Sequence, residues 1–149
     1  MTLLESRLPF KRIVIMIQKE VADRLCAEPG GKDYGAITVA TKYFCKPEII
    51  KKVPAGAFIP APKVDSAVIN LEILEKPSVS PKNEELFFKT VKAAFSQRRK
   101  TLVNALSSAG AFGTKEEVTN AIVSAGLDAQ IRGEKLSVED FCRLSDIFA

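Results

Sequence analysis

The run KRIVIMIQ, residues 11–18, limits the fold more than any other stretch of the chain. It is short, rich in β-branched residues, and bounded by Pro9 and by a helical pattern, so it reads as a strand. Both of its faces are apolar. A strand of that kind expects to be central and covered. Almost nothing precedes it to supply a neighbouring strand. The chain therefore reads as one that begins partway through a larger α/β domain. An uncovered edge of this kind pairs with another chain, so self-association through residues 12–18 is expected.

The pattern after this strand changes texture once. KEVADRLCAEPGG, residues 19–31, has Val21, Leu25 and Cys26 at helical spacing and is stopped by Pro29-Gly30-Gly31. GAITVATKYF, residues 35–44, is rich in Ile, Thr, Val and aromatics and reads as a second strand. SAVINLEIL, residues 66–74, alternates cleanly and reads as a third, with one polar side. Between these two lies VPAGAFIPAPKVDS, residues 53–66, whose three prolines and one glycine forbid a helix or a central strand. A loop this long is functional or disordered, and Phe58 between two rigid segments argues for order.

Residues 75–83, EKPSVSPKN, read as a linker, and everything beyond it reads as helical. One long helix is expected from Asn83 as N-cap to near Gly110, with Phe87, Val91, Ala94, Phe95, Leu102 and Leu106 as its apolar stripe. Two more follow, opened by the capping boxes TKEE at 114–117 and SVED at 137–140. Two units result, 1–77 and 78–149.

Composition removes several functions. The chain has 149 residues and no histidine, so Ser-His and Cys-His mechanisms are excluded. Its three cysteines form no CxxC pair, which argues against a zinc site or a disulfide framework and for reduced thiols in the cytoplasm. No apolar run spans a bilayer, so no membrane partner is expected. The net charge of +4 divides as +3 over residues 1–79 (12 basic, 9 acidic) and +1 over 80–149 (10 basic, 9 acidic). Only local clustering could mark a nucleic-acid binder.

That clustering occurs in AFSQRRKTL, residues 94–102. On a helix, Arg98, Arg99 and Lys100 would fan over much of the circumference, and no acid lies at i±3 or i±4 to pair with them. Near Ser96 and Gln97 they suit a clamp on a phosphate backbone. A solvated charged face explains them equally well on spacing alone. For Phe58 in AFIPAP, spacing favours a core phenylalanine over an aromatic face for stacking a base. The mixed charges of QKEVADRL, residues 18–25, read as a self-neutralising surface.

Five segments in order resemble the back half of the bacterial KsgA-type rRNA adenine dimethyltransferases: IMIQKEVADR (15–24), KDYGAITV (32–39), VPAGAFIPAPKVDSAV (53–68), AFSQRRKTL (94–102) and RGEKLSVEDF (132–141). The resemblance covers essentially the whole chain. It implies the last three strands of a Rossmann-like methyltransferase sheet followed by a small helical domain. It implies S-adenosylmethionine as methyl donor in the parent protein and two adjacent adenines near the 3′ end of small-subunit rRNA as substrate. Phe58 would stack on the flipped adenine. Arg98, Arg99 and Lys100, with Gln97 and Lys63, would contact rRNA of the small ribosomal subunit.

The departures are specific. The family's glycine-rich cofactor loop, acidic ribose-binding residue and Asn-Leu-Pro-Tyr motif do not occur in this sequence. The resemblance therefore implies a C-terminal fragment that keeps RNA-facing surface, binds no cofactor by itself and does not methylate alone. A non-enzymatic RNA-binding or ribosome-associated module is one alternative. The macrolide-resistance type of large-subunit rRNA methyltransferase, which shares the FxPxPxV loop, is another; VDSAV, QRRKTL and RGEKLS favour the small-subunit enzyme.

Overall fold

A computed structural model describes all 149 residues. The chain is a mixed α/β fold. Its elements are α1 (Thr2–Glu5), β1 (Arg12–Gln18), α2 (Lys19–Leu25), α3 (Ala36–Phe44), β2 (Cys45–Val53), β3 (Ser66–Ile73), α4 (Glu84–Phe95), α5 (Leu102–Ser108), α6 (Lys115–Ser124) and α7 (Val138–Phe148). Single 3-10 turns lie at Ala55–Ala57 and Gly133–Lys135.

The sheet has the order β1-β3-β2, and β3 runs antiparallel to both neighbours. β1 pairs on one side only, which leaves the free edge that its sequence implied. Ile13, Ile15 and Ile17 lie opposite Leu71, Ile69 and Ala67 on one face. Val14 and Met16 sit on the other and are each 53% exposed.

Two expectations fail here. GAITVATKYF is the helix α3, not a strand. Its β-branched residues suggested a pleat, but the Gly35 N–H donates to Thr38 Oγ1 at 3.1 Å and the Thr38 hydroxyl donates to the Arg24 carbonyl at 2.6 Å. The helix so started puts Val39 and Tyr43, one turn apart, into the core. The second strand is the next segment, CKPEIIKKV. It hides its strand character behind lysines and Pro47, both tolerated because β2 is an edge.

The long helix expected over 83–110 is two helices. Asn83 caps α4 by accepting from the Leu86 N–H at 3.0 Å. After Phe95 the chain leaves the helix, and Thr101 caps α5 by accepting from the Asn104 N–H at 3.4 Å. The apolar stripe survives the break: Phe87, Val91, Ala94, Leu102 and Leu106 are all buried. Both predicted capping boxes are present, Thr114 with Glu117 and Ser137 with Asp140.

The buried side chains form two clusters. One holds 19 residues and is mostly helical, but it includes Tyr34, Val39 and Tyr43 from before residue 77. The Tyr43 ring packs against Phe44, Phe87 and Phe88 with centroids 4.9–5.1 Å apart. The other, under the sheet, holds only Leu25, Cys45, Ile69 and Leu71. No helix is long and apolar enough to cross a membrane.

Candidate nucleic-acid interface

The proline loop, residues 54–65, bridges paired strand ends, since Val53 at the close of β2 lies opposite Ser66 at the start of β3. Asp65 pins its foot twice. One carboxylate oxygen accepts from the Ala55 N–H at 2.9 Å, and its carbonyl accepts from the Lys19 N–H at 2.9 Å. The loop is thus held against the first turn of α2. Ile59 on it is fully exposed, and the Ile59–Pro60 bond is cis.

Phe58 is half-buried and joins neither apolar cluster. Seven of the nine phenylalanines pack ring against ring; Phe58 does not. The core placement that spacing favoured is therefore not its position.

The basic triplet also stands differently from its helical reading. Residues 96–100 are a turn between α4 and α5, closed by the Lys100 N–H donating to the Gln97 carbonyl at 2.9 Å. The three cations are not all unpaired. An Arg98 amino group donates to the Lys32 carbonyl at 2.8 Å and lies 3.7 Å from the Glu134 carboxylate. Glu134 is 36 positions further along the sequence, beyond the reach of any i±4 argument. Arg99 and Lys100 are exposed and take part in none of the six ion pairs.

Three of the motifs meet at one seam. The Gly30 N–H donates to the Glu134 carbonyl at 2.7 Å, the Tyr34 hydroxyl to the Leu136 carbonyl at 2.7 Å, and the Leu102 N–H to the Ile131 carbonyl at 2.7 Å. Gly133 lies so close to α4 that a Cβ there would stand 2.9 Å from the Ala94 carbonyl oxygen. Only glycine permits that approach. Burial, with Glu28 nearby, holds the Tyr34 phenol well above the usual range, so it stays a donor. KDYG, QRRK and RGEK are thus parts of one joint. The sequence reading missed Lys32, Tyr34, Asp65 and Glu134 as positioning residues, because their partners lie far away in the chain.

A charged groove runs between the loop and α2. Lys63 and Asp65 from the loop, Lys19, Glu20 and Asp23 from α2, and Lys32 line it. Arg98 is bonded to the Lys32 carbonyl at its end. The helix side is self-neutralised as its sequence implied: Lys19 meets Asp23 at 2.7 Å and Arg24 meets Glu20 at 2.6 Å. The Asp23 hydrogen bond holds the Lys19 ammonium above its usual range. Lys32 and Lys63 have no such partner. Gln97 faces the other way, into a groove between α4 and α5.

A cradle for S-adenosylmethionine does not fit the residues present. A nucleotide-type cradle needs a glycine-rich turn from strand into helix. β1 passes to α2 directly at Gln18-Lys19, and β3 reaches α4 through residues 74–83, which contain no glycine.

The architecture is similar to that of two solved structures. The crystal structure of a dimethyladenosine transferase from Plasmodium falciparum superposes on 95% of this chain and 58% of its own, with TM-score 0.78 and 27% identity. That of the 23S rRNA methyltransferase ErmE shares the fold, with TM-score 0.65 and 24% identity over 97% of this chain and 57% of its own. More closely, the chain belongs to the ribosomal RNA adenine dimethylase family, whose model matches residues 1–149. Ribosomal RNA small subunit methyltransferase A of Clostridioides difficile is 50% identical over 147 residues, 99% of this chain and 50% of that protein. The Clostridium botulinum protein of the same name is 51% identical over 144 residues, 97% of this chain and 52% of its own. The chain spans about half the length of the curated relatives it matches.

Proposed function

We propose that this chain is the RNA-facing part of a KsgA-type adenine dimethyltransferase, and that its parent methylates N6 of adenines in small-subunit rRNA. In this reading β1, β2 and β3 are the last strands of a Rossmann-like sheet, and residues 78–149 form the helical RNA-binding unit. Phe58 stacks on an adenine turned out of its helix, which brings N6 to the methyl donor. Lys63, Gln97, Arg99 and Lys100 contact phosphates. Arg98 holds the turn in place with one amino group and, with a side chain 45% exposed, offers the rest of its guanidinium to RNA. The methyl donor is S-adenosylmethionine, held by residues outside this chain, so the chain alone does not transfer methyl groups.

The observation that carries the reading is the position of Phe58. It is an aromatic side chain outside both clusters, on a loop fixed by Asp65, and the same loop's Lys63 lines a groove with Lys32, whose carbonyl holds Arg98 of the basic turn. An isolated core phenylalanine would not be mounted in that way.

Titration of the chain with small-subunit rRNA over a range of salt tests it. Arg99→Ala with Lys100→Ala is expected to reduce the salt slope by about two charges. Phe58→Ala is expected to weaken binding by about 1–3 kcal/mol without changing that slope, as loss of one stacked base would. Calorimetry with S-adenosylmethionine alone is expected to give no binding heat. Unchanged slopes, or clear cofactor binding, would sink the reading.

A further inference from the structure

Between Leu86 and Lys115 the chain contains five basic residues and no acidic one. This stretch is most of α4, the turn at 96–100 and all of α5. Three of its cations are the triplet already described. The next two, Lys89 and Lys92, are exposed on α4 and belong to none of the six ion pairs.

Positions 89, 92, 93 and 96 lie on one helical face, three and four residues apart. They form one wall of the groove into which Gln97 faces. The end of α5 forms the other wall through Ser108, and the mostly buried ring of Phe112 lines it as well. No acidic residue lines this groove. It therefore presents two free ammonium groups, an amide and hydroxyls above a partly apolar base. The charged groove between the proline loop and α2, by contrast, carries four carboxylates, from Glu20, Asp23, Asp33 and Asp65.

We infer that the α4–α5 groove is a second RNA-contact surface, which takes the sugar–phosphate backbone of a segment continuous with the one held at Arg99 and Lys100. The inference rests on the proposed rRNA contact of the turn. Continuity decides for RNA over an acidic protein: Gln97 belongs to the turn and to the groove wall, so a backbone leaving Lys100 runs directly along Lys92 and Lys89. A phosphate chain needs a line of like charge without fixed carboxylates, and this is the face of the helical half that supplies one. Lysine suits such sequence-independent contact, since its ammonium acts as a point charge on a flexible stem.

The test uses the full chain with small-subunit rRNA, by filter binding at several salt concentrations. The variants are Lys89→Ala with Lys92→Ala, Lys89→Glu with Lys92→Glu, and Arg99→Ala with Lys100→Ala. Circular dichroism confirms that each is folded. The alanine pair is expected to lower the salt slope by about two, and the glutamate pair to weaken binding further at low salt. If the Arg99/Lys100 variant loses slope and the lysine variants keep it, this inference falls and the rRNA reading of the turn stands. If no variant changes the slope, both fall.

Discussion

The helical side of the molecule is closed and the sheet side is open. Phe87, Phe141, Leu102 and Leu106 have no solvent exposure, whereas Val14 and Met16 on β1 keep about half of theirs. The same apolar chemistry is spent on both sides. On the helical side each side chain meets partners from several elements, and even Tyr34 and Tyr43 from the first half are enclosed there. On the sheet side, β1 has β3 along one edge and nothing along the other. The contrast teaches that the joint between the two halves, rather than the sheet, fixes the position of the basic turn. The turn at 96–100 hangs from the closed side, and the proline loop is tied to it through α2.

The largest test of this contrast is truncation on each side. Phe87→Ala is expected to cost about 3–5 kcal/mol, the usual figure for a fully buried phenylalanine. Val14→Ala is expected to cost less than about 0.5 kcal/mol, as for an exposed site. Urea denaturation measures both. Comparable losses would mean that the β1 face is covered in solution.

A smaller effect separates the two clusters by pH. Burial, reinforced by the hydrogen bond to Glu84, raises the Tyr43 phenol, and burial raises that of Tyr34. Burial pushes the Cys45 thiol in the sheet cluster up to about 12. In each case the folded protein favours the neutral form. Stability is then complete below the unfolded-state pKa and is lost as pH rises toward the folded value. Loss from Cys45 begins near pH 8.5 and loss from the tyrosines near pH 10, each up to about 1.4 kcal/mol per pH unit. Burial raises the Cys26 and Cys142 thiols as well, so Cys45→Ala should remove part of the decline between about pH 9 and 10 and leave the steeper one above it. A decline unchanged by that substitution would place the alkaline sensitivity elsewhere.

The smallest change in stability accompanies the clearest change in association. We propose that β1 pairs with β1 of a second copy. Val14→Lys with Met16→Lys should leave the urea midpoint nearly unchanged and shift light scattering toward the monomer. A wild-type chain that is already monomeric at high concentration would count against edge pairing.

Local signals were legible where a residue acts on its near neighbours. The capping boxes at Thr114 and Ser137, the alternation of β3 and the ion pairs of α2 depend on spacings of two to four residues, and sequence reading found each. α3 was misread because the deciding contact, Thr38 to the Arg24 carbonyl, comes from another element and outweighs β-branched propensity. The break after Phe95 was missed because the apolar stripe keeps its phase across it. Of the candidate site, Phe58, Arg99 and Lys100 were visible as residue types. The partner that engages Arg98 was not, since Glu134 approaches only through the folded joint.

That joint also sets an order of events during synthesis. The turn that carries Arg99 and Lys100 is braced by the carbonyl of Ile131 and the carboxylate of Glu134, and neither exists until some thirty further residues have been added. A nascent chain that has just exposed its basic triplet thus holds it only through the Lys32 carbonyl and the turn's own hydrogen bond, and the braces from the C-terminal segment are the last to be added.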